Sequence, residues 1–362
     1  MSPRGVTAYS LVNATVRALY STMLTQETWD ALIQAPDFEA VLSALSKTGY
    51  GAYLEVECDA MTPRRAVYQI GWHLANIYEK LIRLTPEPGR QLLLQLWRLY
   101  EVDNLKATLR GIENGASWDQ VRHLLWPMVK HNLLHAADME SMVQTGDVAR
   151  AIEHIQHTPY YDTLVHALQR YQAEKSLFPL EVMLDLDYRR RLWQSIDQLS
   201  GMDHERALAV VGTVLDVDNL MWAIRYRVYH HLSEQEIINY TLPFGYQVRD
   251  EDIRAIAAGA DIADVVKRIY PSIDGVEQFS VEPSAGLAVL ELSFNRHIVK
   301  TCRTALTGYP FHIGVPVAYV LLNEHEIRDL TVLIEAKASH LPRETFACLL
   351  EIYPVFEMAD QR

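Results

Sequence analysis

EVDNLKATLRG at residues 101–111 reads as one stripe of an α-helix, and the chain writes it three times. DVDNLMWAIRY stands at 216–226 and EIRDLTVLIEA at 326–336. Aligned on Leu105, Leu220 and Leu330, the segments lie 115 and 110 residues apart. Val102, Leu105 and Leu109 then coincide with Val217, Leu220 and Ile224, and with Ile327, Leu330 and Ile334. Each set follows i, i+3, i+7, the spacing of one helix face. Asn104, Asn219 and Asp329 share one column beside that face.

The match runs on downstream. GASWDQVRHLLWP closes at Pro127, HLSEQEIINYTLP at Pro243 and HLPRETFACLLEIYP at Pro354, which lie 22, 23 and 24 residues beyond the anchoring leucines. Each reads as a Ser or Pro helix start, an apolar-periodic helix and a proline stop. A second marker keeps the same order and period: APDFEAVLSAL at 35–45, TGDVARAIEHI at 145–155 and GADIADVVKRI at 259–269. Asp37, Asp147 and Asp261 are placed there as N-caps, where a carboxylate takes the unpaired amides of a first helical turn. A weaker third marker, ECDAMTPRR at 57–65, MLDLDYRRRL at 183–192 and LELSFNRHI at 290–298, puts an acid ahead of arginine and opens a long amphipathic helix each time.

The expected fold class is therefore all-α: three homologous helical domains, 1–127, 128–243 and 244–362, in a quasi-threefold, funnel-shaped arrangement with a central hollow. Strand signals are confined to a run with β character from Phe279 to Leu292. Trp97, Trp193 and Trp222 lie on helical stripes and are expected in the core.

Composition narrows the function classes. Hydrophobic residues make up 49% and charged residues 22% of 362, an ordinary globular balance. The net charge of −13 repels phosphate backbones and anionic headgroups, which disfavours nucleic acid as the main partner; a basic protein is the natural complement, and acidity that only keeps the chain soluble is the alternative. Cys58, Cys302 and Cys348 are widely spaced, with no CxxC, so neither a disulfide framework nor a thiolate zinc site is indicated and a reducing cytoplasm fits. The sequons at Asn13 and Asn239 then carry no glycan. The opening MSPRGVTAYS has no apolar signal core. The best membrane-like stretch, Gly308 to Leu322, is interrupted by Pro310, His312 and Pro316 and reads as a buried helix entrance.

No GxxxxGK[ST], GxGxxG or GxSxG occurs, so no phosphate loop, dinucleotide turn or nucleophile elbow is present. His131 and His135 stand at i, i+4 and His154 and His157 at i, i+3, but no HExxH accompanies them, and the expectation is no metal and no cofactor. Asp103 with Asn104 and Asp218 with Asn219 recur in two repeats, which suits structure rather than acid–base chemistry; the Asn amides are expected to bond backbone at a helix junction. Arg110 and Arg225 are expected to pair with the neighbouring carboxylates. Arg189-Arg190-Arg191 reads as a solvated helix start.

These repeats, together with Tyr9-Ser10-Leu11-Val12-Asn13-Ala14-Thr15-Val16-Arg17-Ala18-Leu19, Val102-Asp103-Asn104-Leu105-Lys106, Leu109-Arg110-Gly111, Pro310-Phe311, Pro316, Ala318-Tyr319, Glu324-x-Glu326-Ile327 and Leu341-Pro342, resemble the C/d subunit family of V/A-type ATPases (ATP synthases). The resemblance spans nearly the whole chain and lies in the ordered combination. It implies a non-catalytic central-stalk subunit that links the rotor shaft to the membrane ion-translocating ring, coupling proton or sodium transport to ATP. The implied partners are the central shaft subunits and the membrane rotor ring, with no nucleic acid, no small-molecule substrate and contact with the membrane only through the ring. The implied place is peripheral, at the cytoplasmic face. The third repeat departs from the pattern, with Arg328 for Asp103 and Asp218, and Glu335 for Arg110 and Arg225. Gly111 also gives way to Tyr226 in the second repeat, so the three units are not equivalent. Two other readings share parts of this picture: a helical peptide-binding scaffold and a histidine-based metal hydrolase.

Overall fold

The computed structural model describes residues 3–54 and 61–353. Helices carry it, and no strand occurs among the described residues. The Phe279 to Leu292 run is helical as well, divided between Val276–Val281 and Pro283–Ala305. Its β-branched and aromatic residues favour strands only weakly, and tertiary packing overrides that preference. Contacts group the chain into two compact units, Met1–Pro86 with Ser200–Arg362, and Glu87–Leu199. They cut the chain elsewhere than the repeat boundaries at Pro127 and Pro243. Cys58 and Pro354 lie outside the described residues.

In the unit Glu87–Leu199 the long helix Gly89–Glu113 packs against Phe178–Asp197, which in turn pairs with Tyr160–Glu174. Leu92, Leu96, Val102, Leu105 and Leu109 form its buried stripe. Gly111 is needed because a Cβ there would stand 2.4 Å from Val121 Cγ2 on the short helix Trp118–Val121. Two short helices, Ala136–Gln144 and Val148–Glu153, complete the unit, the second capped by Asp147, whose Oδ1 accepts from Arg150 N at 2.8 Å.

The other unit is organised about Gly314–Ala338. Nineteen of its 25 residues are buried, so packing surrounds it on nearly all sides, the mark of a central helix. Pro63–Leu84, Pro283–Ala305, Pro3–Tyr20 and Phe38–Leu45 surround it. Pro63–Leu84 begins with proline at its first position under a Thr62 cap, the arrangement that starts a helix without losing a bond. A second long rod runs through Gly201–Ala207, a π-helical turn Leu208–Gly212 and Thr213–Val228. By length and composition Gly201–Val228 could cross a membrane, but 72% of its apolar window is buried within the unit, as in a core helix. Asp37 and Asp261 cap Phe38–Leu45 and Ile262–Ile269, accepting from Ala40 N at 2.9 Å and Asp264 N at 3.1 Å.

Trp97 is buried and donates Nε1–H to Asn132 Oδ1 at 3.0 Å. Trp193 and Trp222 are only partly buried, contrary to the expectation from their stripes. A helical stripe marks a face, and a large side chain at its margin stays half in solvent.

Candidate functional site

The residue that organises each repeat stands four positions before the anchoring leucine: Glu101, Asp216 and Glu326. All three are buried on long helices. Glu101 Oε1 accepts from Leu133 N and Leu134 N, both at 2.5 Å, and its Oε2 accepts from Arg98 Nη1 at 2.7 Å and Tyr160 Oη at 2.9 Å. Asp216 Oδ1 accepts from Tyr246 N at 2.7 Å, while Oδ2 accepts from Gln247 N at 2.5 Å, Val248 N at 3.1 Å and Tyr270 Oη at 3.5 Å. Glu326 Oε2 accepts from Leu24 N at 3.1 Å and Oε1 from Tyr50 Oη at 2.8 Å.

The donors repeat as the acceptors do. Tyr50, Tyr160 and Tyr270 are spaced by 110 residues each. Between amide and tyrosine lies the same pair of short helices each time: Gln26–Gln34 with Phe38–Leu45, Ala136–Gln144 with Val148–Glu153, and Asp250–Ala257 with Ile262–Ile269. One buried carboxylate thus pins both ends of a helical pair to a long helix. Burial and the adjacent carboxylate push all three tyrosine hydroxyls up, so each stays a donor. The long helix and the pair it holds follow each other in sequence at Glu101 and Asp216. At Glu326 the last long helix holds the first pair, across more than 270 residues of chain.

A second clamp closes the far end of each repeat. Asn104 gives Nδ2–H to Trp126 O at 3.1 Å and takes Trp126 N–H at 2.6 Å; Asn219 does the same with Leu242 at 3.0 and 2.7 Å. Asp329 takes Glu351 N–H and Ile352 N–H, both at 2.8 Å. Trp126 and Leu242 directly precede Pro127 and Pro243, and the helical segments before them already end at Leu124 and Asn239, so the amide locks a non-helical stretch of chain. The side chain of Glu351 is held in turn by His325 at 2.5 Å, Arg328 at 3.1 Å and Asn295 at 2.7 Å.

Arg110 and Arg225 pair across helices rather than with Asp103 or Asp218. Arg110 grips Glu181 through two bonds of 2.6 and 2.8 Å, and Arg225 meets Glu291 at 2.5 Å. Asp103 binds Lys106 at 2.9 Å. Seven residues along a helix is about 10.5 Å of rise, so an acid on the facing helix is nearer. Glu181 and Glu291 are 110 residues apart; one further step back is Gly71, and the third repeat has Glu335 in place of the arginine. Both halves of the pair are thus replaced together. Another cation recurs in two repeats: Lys337 donates to Ile33 O and Ala35 O at 2.7 and 2.6 Å, and Arg227 to Ile256 O and Gly259 O at 3.0 and 3.1 Å, each covering the open end of a short helix. Arg189 and Arg191 turn back onto Asp185 and Asp187 within Phe178–Asp197, and Arg190 is exposed.

Nothing in these joints presents a nucleophile or an acid–base pair to solvent. Among the described residues no group of three His, Cys, Asp or Glu is placed to hold a metal. The arrangement can fix short helices to long ones, and its chemistry is mechanical. The family model of the ATP synthase (C/AC39) subunit matches residues 12–347, which include all three pinning carboxylates. The chain belongs to the ATP synthase (C/AC39) subunit family. Relatives of this family include the C subunit of the A-type ATP synthase of Methanocaldococcus jannaschii, 22% identical over 347 residues covering 94% of this chain and 86% of the relative. The C subunit of the Archaeoglobus fulgidus A-type ATP synthase is 22% identical over 342 residues, covering 93% and 94%. That of Methanobrevibacter smithii is 25% identical over 267 residues, covering 73% and 68%.

In this ATP synthase subunit burial raises the pKa of Glu326 from 4.5 to about 7, against the opposing hydrogen bonds of Tyr50 and Leu24. A carboxyl whose folded pKa is raised adds stability that is fully present below its unfolded value and is lost as pH rises through the folded one. The native chain should therefore exceed Glu326→Gln most at pH 5, with the margin shrinking toward pH 8. Urea midpoints of both proteins at the two pH values measure this, and a margin that grows with pH would overturn the assignment.

Proposed function

We propose that this chain is the non-catalytic coupling subunit of the central stalk, joining the rotor shaft to the membrane ring of an ATP synthase so that rotation driven by ATP and movement of protons or sodium ions proceed together. The observation that carries the reading is a pinned joint built three times in a member of a family of ATP synthase subunits. A torque adaptor must resist deformation, and a buried carboxylate that holds two ends of a helical pair does so without a loop to stretch. Three repeats, 1–127, 128–243 and 244–362, give three similar faces, and their funnel-like, quasi-threefold assembly would offer a hollow to the foot of a shaft. The net charge of −13 complements a basic shaft end and makes docking weaken with salt. Asp103, Asn104, Arg110, Asp218, Asn219, Arg225 and Asp329 then serve as residues that hold the repeats rigid. The subunit would sit peripherally on the cytoplasmic face, touching the membrane only through the ring.

The test is reconstitution of the complex in vesicles with and without this chain. ATP hydrolysis is expected to persist without it, while ATP-driven ion uptake falls to background and returns on adding it back. Unchanged ion uptake in its absence would overturn the reading.

A further inference from the structure

The three joints are not equally made. A carboxylate offers about four acceptor positions, and leaving them empty when buried is unfavourable. Glu101 accepts four hydrogen bonds, one from a guanidinium at 2.7 Å. Asp216 accepts four, three of them from consecutive backbone amides. Glu326 accepts two, one amide and one hydroxyl, although it is as deeply buried as the others. Arg303 acts on it as a through-space charge.

A second observation points to the same place. Trp29, on the helix Gln26–Gln34 that Glu326 helps to hold, is fully buried, and its indole N–H finds no partner. Trp97, the buried tryptophan of the Glu87–Leu199 unit, has Asn132. On the helix Gly314–Ala338, one turn before Glu326, the buried Asn323 Oδ1 is without a partner as well. Each buried unpaired group favours any state in which water reaches it. Lys337 on Ile33 O and Ala35 O, and Tyr353 on Asp30, still hold the middle of the segment. The weak points are its two ends and the tryptophan between them.

We propose that residues 24–50 form a strap that opens locally, about the Glu326–Tyr50 joint, before the two other helical pairs are released. Local opening starts where buried polar groups are poorly satisfied, and the carboxylates that hold the two remaining pairs each accept four hydrogen bonds against two at Glu326. Release of the strap uncovers the apolar face of Gly314–Ala338 against which Phe38–Leu45 packs. On the coupling reading it gives the adaptor one compliant joint beside two stiff ones, but the order of opening does not depend on that reading.

Amide hydrogen exchange on the full chain at pH 7 tests this directly. The buried amides of Leu32, Ile33 and Val41 are expected to exchange at least about tenfold faster than those of Met142, Val143 and Ile152 in the first-held pair and Ile256 and Val266 in the second, a factor equal to one decade in the opening constant. Tyr50→Phe should speed residues 24–50 about tenfold more and leave 134–160 and 248–270 unchanged. Equal or slower exchange in 24–50, or a Tyr50→Phe effect spread evenly over all three segments, overturns the proposal. Because the measurement uses the isolated chain, its failure leaves the ion-uptake test untouched, and failure of that test leaves this one standing.

Discussion

Glu101→Ala is expected to destabilise the unit Glu87–Leu199 by about 4 kcal/mol. The substitution strips partners from four donors at once. Two are backbone amides, Leu133 and Leu134; one is the Tyr160 hydroxyl; the fourth is Arg98, which keeps only its bond to His131 O at 2.6 Å. Each buried donor left unpaired costs about 1–3 kcal/mol, and a partly buried guanidinium without its anion costs more than a neutral group. Arg110→Ala is the control. It removes a bidentate bond to Glu181, but the arginine is more than half exposed, so screening holds its loss to under about 1 kcal/mol. Urea unfolding of both variants followed by circular dichroism gives the comparison. A Glu101→Ala loss no larger than that of Arg110→Ala would show that the pinned joint adds little.

Gly245→Ala should cost about 3 kcal/mol through strain rather than a lost bond. A Cβ at this position would stand 2.2 Å from Val248 O and 2.4 Å from Asp216 Oδ1, and neither atom can swing away. The carbonyl belongs to the backbone, and the carboxylate is held by Tyr246, Gln247 and Val248 amides. The loop must therefore move, and the amide cradle opens with it. Gly259 provides the contrast, because a Cβ there meets nothing within 4 Å and only its φ of +103° resists substitution. Gly259→Ala is expected to cost about 1 kcal/mol, the ordinary penalty of a left-handed backbone. Thermal unfolding midpoints decide it: a Gly245→Ala midpoint equal to or above that of Gly259→Ala would contradict the close packing at Asp216.

Much of the fold is legible in the one-dimensional pattern. The i, i+3, i+7 stripes announce helices, and the spacings of 110 and 115 residues announce repetition. Asn104 and Asn219 can be assigned to a helix junction because a side-chain amide both gives and takes, and both face non-helical chain just ahead of a proline. The pinning acids are in plain view as well, since Glu101, Asp216 and Glu326 open the three repeated segments. They escape a reading of the sequence because an acid beside an apolar stripe usually faces water. The signal that could find them is Tyr50, Tyr160 and Tyr270 at a constant step of 110. Arg110 and Arg225 are matched to the wrong partners for a related reason: the acids they use lie on the facing helices at Glu181 and Glu291, more than 60 residues along the chain.

Periodicity and caps are local, so the sequence alone determined the helical stripes, the Asp37, Asp147 and Asp261 caps and the recurrence of the segment at 110 and 115 residues. Which helical pair each carboxylate holds is a matter of distance between segments far apart in the chain. Only the tertiary structure decided that Glu101 and Asp216 pin the pairs that follow them while Glu326 reaches back to Leu24 and Tyr50. The physical reason is that a buried carboxylate must find donors wherever packing brings them, and packing takes no account of order along the chain.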